Sequence, residues 1–302
     1  MLNRISSTIL CGALLTILSG CSDSAVDLYK GKDPLFGEYF GEPVPDSVPV
    51  RFCPRFFSEE LHSSPIFSSD GNEAYWTLMG EGYKSIMEMR RTGEEWSMPA
   101  ESEFNLRNTN DAPFITPDGQ RIYFLSSQGS GINQFDENIY FAIREDDHWL
   151  NPVKIHEIIN SHPLHWQFSV AENYNLYFQD SESHELYYSR YVDGNYQDPV
   201  KLPETINSEG SNEGSPYISP EENFLIFDRS PVGSYTDLYI SFKDSAGNWT
   251  RARGLGNLIN TPGHETCPFI TADKRYLFFL RGTDTGMFPF WIDAKSVILN
   301  NK

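Results

Sequence analysis

The sequence predicts an all-β fold, a β-propeller of four-stranded antiparallel blades. Three observations predict it: a repeat of about 50 residues, two offsets held inside every copy, and a composition of strand and turn formers. The chain has 302 residues with 21 Phe, 16 Tyr and 6 Trp beside 22 Gly and 19 Pro. Aromatic residues favour strands, and Gly and Pro punctuate turns.

The repeat is read from five ungapped stretches anchored at Pro65, Pro113, Gln167, Pro216 and Pro268, which lie 48, 54, 49 and 52 residues apart. Five residues after each anchor stands an acid: Asp70, Asp118, Glu172, Glu221 and Asp273. Ten residues after each stands a strand centre: Tyr75, Tyr123, Tyr177, Ile226 and Phe278. Each copy therefore opens with an apolar strand, turns at the acid, and returns along a second strand such as Ile122-Tyr123-Phe124. A carboxylate at such a turn accepts backbone N–H groups. Third strands follow at Ile139-Tyr140, Leu186-Tyr187, Leu238-Tyr239 and Phe290-Trp291, then an aromatic (Trp96, Trp149, Tyr196 or Trp249) and a short fourth strand such as Val200-Lys201-Leu202. Four short strands per repeat describe a propeller blade.

The last copy ends on a third strand expected to run from Phe290 to Ile298. Pro49-Val50-Arg51-Phe52 resembles the fourth-strand stretch Pro199-Val200-Lys201-Leu202, so the N-terminal strand should complete the last blade and close the ring. This gives five blades over residues 49–302, with six as the alternative if a degenerate blade occupies residues 22–48. Three prolines and little strand pattern in that stretch favour a tether over 21–48.

Residues 1–20 read as a secretory signal: Arg4, an apolar run from Ile9 to Ile17, then Leu18-Ser19-Gly20-Cys21. The run is shorter than the roughly 20 residues a membrane span requires. Its ending resembles the lipobox of bacterial lipoproteins, which implies lipidation of Cys21, and Ser22 directly after it resembles outer-membrane sorting. Cys53 and Cys267 would then be the thiols of the domain. One belongs beside an outermost strand and the other to an innermost one, about three strand spacings apart, too far to bridge. Two free thiols are expected.

The stretches Ser215-Pro216-Tyr217-Ile218-Ser219-Pro220-Glu221 and Pro113-Phe114-Ile115-Thr116-Pro117-Asp118-Gly119 resemble the TolB-type, WD-like repeats of bacterial envelope proteins. The resemblance covers nearly the whole chain after the signal. It implies an exported scaffold that binds proteins or saccharides. TolB-type propellers commonly have six blades, and the separate N-terminal domain of TolB has no counterpart here, so its partnerships do not transfer.

The net charge of −19, from 42 Asp+Glu against 23 Lys+Arg, argues against nucleic acid, whose affinity comes from Lys and Arg releasing counterions. No Gly-x-Ser-x-Gly elbow, phosphate loop, His-Glu-x-x-His or Cys-x-x-Cys is present. Chemistry is expected where loops enter the first strands at the channel mouth, at His62, Asp111, His165, Glu213, His264 and Glu265, with Asn110, His162 and Asn212 beside them. Such a ring suits a divalent metal or sugar hydroxyls; the plainer reading is that these groups cap turns and bond one another. Trp166 is suited to stacking on a sugar or, more simply, to burial between blades. Two functions follow. The first is a monomeric, non-catalytic scaffold for an envelope protein or glycan, with no cofactor. The alternative is a carbohydrate-active enzyme, a glycosidase or metal-dependent lyase, drawing on Asp111, Glu213 and Glu265.

Overall fold

The computed structural model describes residues 28–79, 83–128 and 137–302. The signal and the lipidation position Cys21 lie outside them. Five small antiparallel sheets form the ring. Blade 1 comprises Ile66–Phe67, Glu73–Met79, Lys84–Thr92 and Ala100–Glu101; blade 2 comprises Asn110–Ile115, Arg121–Ser126, Asn138–Glu145 and Val153–Lys154. Blade 3 is built from Leu164–Val170, Leu176–Asp180, Glu185–Ser189 and Val200–Lys201, and blade 4 from Ser211–Ile218, Phe224–Pro231, Asp237–Phe242 and Arg253–Gly254. Glu265–Ile270, Tyr276–Thr283 and Gly286–Asp293 make blade 5, and Val50–Arg51 completes it, with Val50 opposite Trp291 and Arg51 opposite Phe290. The ring is thus five-bladed and closed by the N-terminal strand. First strands of adjoining blades touch one another around the centre.

The second-strand centres carry the core. Tyr75, Tyr123 and Tyr177 are buried with Trp76, Phe124 and Phe178, because each blade is covered on both faces by its neighbours. Buried tyrosine hydroxyls need partners, and the recurring aromatics after the third strands supply them across blade boundaries. Trp149 of blade 2 donates to the hydroxyl of Tyr75 in blade 1 at 3.0 Å, and Tyr196 of blade 3 reaches Tyr123 of blade 2 at 3.2 Å.

The turn acids divide by type. Asp70, Asp118 and Asp273 each accept a hydroxyl hydrogen bond, from Ser68, Thr116 and Thr271, and the backbone N–H two residues on, at 3.0 Å in each case. Burial opposes ionisation of these carboxyls, but the donors outweigh it and hold them below the usual carboxylate range. Glu172 and Glu221 stand in the same register without that turn; Glu221 pairs with Lys274 of blade 5.

Two expectations are corrected. Residues 28–48, expected within a tether, pack against blades 1 and 5 as a wedge. Tyr39 and Phe40 are buried there: Tyr39 meets Phe67 at 5.0 Å and Tyr276 at 5.1 Å edge-on and donates to Asp273, while Phe40 meets Trp96 at 4.7 Å. The blade 5 strand centre Phe278 has no hydroxyl, and Trp96 of blade 1 instead donates to the carbonyl of Gly37 in the wedge at 2.8 Å. Nor does the last strand reach Ile298. It ends at Asp293, whose carboxylate accepts the Ser296 N–H at 2.7 Å and caps a helix over Ala294–Asn300.

Cys53 and Cys267 are both buried and free, as expected, and burial pushes each thiol up to about 12.

Candidate functional site

At the start of each first strand beyond the first blade, the backbone makes a β-bulge. The residue before each anchor there takes a left-handed conformation: Ala112 (φ 49°), Trp166 (φ 72°), Ser215 (φ 43°) and Cys267 (φ 54°). Bulges of this kind re-aim side chains and gather at functional sites. Three of the four positions carry small side chains. The fourth carries Trp166, for which such a φ is a true outlier.

Trp166 is 44 % exposed. Its ring lies parallel to the His62 imidazole, with centroids 5.4 Å apart and planes 6° from parallel. Expected burial between blades is therefore corrected: the bulge turns the indole out over the channel mouth. Beneath it lies a cavity of about 450 Å³, lined by blades 1, 3, 4 and 5, including His62, Gln179, Glu213, Asp228 and His264. That volume lies within the range of small-molecule sites.

The expected ring residues separate into distinct environments. His62, Glu213 and His264 line the cavity. Asp111 sits behind His62 in the channel neck, 2.7 Å from the imidazole and 2.6 Å from the Lys84 ammonium, which also reaches Glu137 at 2.6 Å. Burial opposes the charge on Asp111, but His62 and Lys84 outweigh it and hold its carboxyl well below the usual range. Glu265 is wholly buried inside blade 5, where Arg281 and Thr261 occupy both its oxygens. His165 lies on the strand Leu164–Val170, and its side chain is outside the described part. His162 pairs with Asp180 at 2.8 Å.

Glu213 and Glu265 are register equivalents, three residues before their anchors. Each stands opposite an arginine on the second strand, Arg229 at 2.8 Å and Arg281 at 2.9 Å. Each arginine also donates to a backbone carbonyl, Ile206 or Ile259. A repeated cross-strand pair of this sort is architecture; its partners are second-strand arginines, neither turn caps nor other members of the expected ring. The pairs differ in one respect. The second oxygen of Glu213, Oε2, has no hydrogen-bond partner among the described residues.

Two cavity residues were missed from the sequence. Gln179 and Asp228 both stand twelve residues after their anchors, where the other copies have Thr77, Leu125 and Leu280. A polar group at a position otherwise small or apolar was the available signal. Asp228 accepts from the Thr266 hydroxyl. Burial, reinforced by the Glu213 charge, raises its carboxyl above the usual range despite the donors around it. Gly214 makes room for it: a Cβ there would stand 2.7 Å from Asp228 Oδ1 and 3.5 Å from Gln179 Oε1. Among the described residues no group of three His, Cys, Asp or Glu is arranged to hold a metal ion.

No known sequence family matches this chain, and no curated protein matches it in sequence. Solved structures do match in fold. A protein assigned as TolB from Agrobacterium tumefaciens aligns at 14 % identity and a TM-score of 0.53, over 78 % of each chain. TolB from Acinetobacter baumannii aligns at 13 % identity and a TM-score of 0.46, over 76 % of this chain and 53 % of that one, so this chain spans about half its length. The catalytic domain of a Coprinopsis cinerea GH62 α-L-arabinofuranosidase aligns at 12 % identity and a TM-score of 0.48, over 82 % of this chain and 94 % of that one. At such identities the likeness is one of architecture, and the chain is a TolB-like β-propeller in fold.

Proposed function

We propose that this chain is an exported, lipid-anchored propeller of the bacterial envelope that acts as a non-catalytic binding scaffold, receiving a glycan or an envelope protein at the Trp166 mouth. The observation that carries it is the state of the expected acids. Asp111, Glu213 and Glu265 each face a basic partner 2.6–2.9 Å away. General acid–base chemistry needs a carboxyl free to exchange its proton near the working pH, and these three are committed to holding strands together. What remains at the mouth is an exposed indole over a concave, largely apolar cavity with a few polar groups, which suits recognition. The signal ending Leu18-Ser19-Gly20-Cys21 supports export and anchoring. No helix among the described residues is long and apolar enough to cross a membrane.

The test is crosslinking in intact envelopes with a photoreactive group near Trp166, in wild type and in Trp166→Ala. A reproducible adduct that the variant loses, with melting temperature unchanged, is the expected result. Adducts indifferent to the substitution would sink the reading. In the same cells Cys21→Ala should abolish acyl labelling and release the protein from membranes.

One observation favours the second reading, a carbohydrate-active enzyme: the raised carboxyl of Asp228 lines the cavity. That enzyme would use Asp228 as its acid, not the three expected carboxylates. Polysaccharide cleavage abolished by Asp228→Asn, but retained in a fold-matched control, would replace the scaffold reading.

A further inference from the structure

Resting on the reading of the Trp166 cavity as the ligand site, we infer that its ligand is an amino sugar carrying a free, protonated amine. The first argument is charge. The carboxylates Glu60, Glu213 and Asp228 line the cavity, and among the described residues no Lys or Arg does. Arg229, which pairs with Glu213 of this wall, is turned to Glu213 Oε1 and to the Ile206 carbonyl. A phosphate, sulfate or carboxylate entering here would meet like charge in a partly desolvated site.

The second argument is unmet hydrogen bonding. Gln179 and Glu213 are 6 % and 1 % exposed, and both line the cavity. Gln179 Oε1 and Glu213 Oε2 have no partner among the described residues. A buried acceptor left unpaired costs about 1–3 kcal/mol. The companion pair in blade 5 shows what a satisfied site looks like: Glu265 has Arg281 and Thr261 on its oxygens. The two orphan acceptors belong to residues of the wall that also carries Asp228, and a group that only donates would satisfy them. An ammonium carries three donors and no acceptor.

The third argument is shape. The outward indole of Trp166 offers a flat apolar face, and Met79, Leu280 and Met287 add apolar walls. The flat C–H face of a pyranose covers such a ring. The lining also carries Asn212, Ser230 and the bonded pair His264 and Thr236, side chains of the kind that bond hydroxyls. A lysine side chain would satisfy the acceptors but leave the indole without a partner, which favours a sugar ring over a peptide.

The experiment titrates the detergent-solubilised full chain with a β-1,4-linked glucosamine trisaccharide, its N-acetylated counterpart and trilysine, by calorimetry and tryptophan fluorescence. The amine sugar should bind at least about tenfold more tightly than the N-acetylated form, since acetylation removes the charge and two donors. Gln179→Leu, which leaves every ion pair in place, should remove about tenfold of that affinity with an unchanged melting temperature. Equal binding of the two sugars would overturn the ammonium inference while leaving the cavity as a sugar site. Trilysine binding in place of either sugar would overturn the sugar assignment. Failure of all three ligands would overturn the inference alone if envelope crosslinking at Trp166 succeeds, and the underlying reading too if it fails.

Discussion

The two mouths of the channel are built by the same five repeats and differ in chemistry. At the turn mouth a cavity of about 370 Å³ is lined by Phe67, Phe114, Tyr217 and Phe269 and edged by Glu172, Glu221 and Asp273. Its polar groups follow the repeat, and three blades use the same hydroxyl–aspartate turn. At the strand-start mouth the blades diverge: Trp166 replaces a small residue, and Gln179 and Asp228 replace Thr77 or leucines. Where every copy carries the same group, that group is serving the fold. Where one or two copies depart at a cost in strain or burial, as Trp166 and Asp228 do, the departure is free to serve a ligand.

The largest expected difference between the mouths lies in their ion pairs. Arg229→Ala would strand a fully buried Glu213 carboxylate and should cost about 3–5 kcal/mol in urea unfolding. Lys274→Ala breaks a pair exposed on both sides and should cost less than about 1 kcal/mol. Equal losses would erase the contrast.

Acid titration sharpens it further, because the turn aspartates and Asp228 have opposite signs. Asp70, Asp118 and Asp273 have lowered folded values. Their stabilisation is present above the unfolded carboxyl pKa, about 4, and is lost as pH falls through the lowered values. Asp228 has a raised folded value, so its contribution is greatest below about pH 4 and declines as pH rises through that value. Denaturation series at about pH 3, 5 and 7 should show Asp118→Asn flattening the acid limb. Asp228→Asn should instead gain relative stability toward neutral pH, and a shared sign would refute the distinction.

The smallest effect on stability is expected at Trp166. Trp166→Gly exchanges a left-handed φ that glycine tolerates against the lost stack on His62, two terms of similar size, so unfolding free energy should move by no more than about 1 kcal/mol. A large loss would assign Trp166 to the core and not to recognition.

Much of this was legible in the chain alone. The anchors, the turn acids and the strand centres are local and periodic, so they specified blades, their number and the closing strand Val50–Arg51. The wedge was not legible. Tyr39 and Phe40 lie among prolines with no alternation, and their partners Phe67, Trp96 and Tyr276 are far away in sequence. Among candidate site residues, position at the mouth was readable but partnership was not. Asp111 lies in the neck, Glu213 on the cavity wall and Glu265 inside blade 5, and whether each is held by Lys84, Arg229 or Arg281 depends on a neighbouring strand or blade.

The sequence by itself therefore determined the repeating architecture, because hydrophobic period and turn chemistry act within a few residues. Only the tertiary structure decided which polar groups are spent on one another and which are left facing a cavity. Burial and pairing join side chains from separate strands, as Glu213 with Arg229, or from separate blades, as Asp111 with Lys84, and neither follows from the local pattern around one residue.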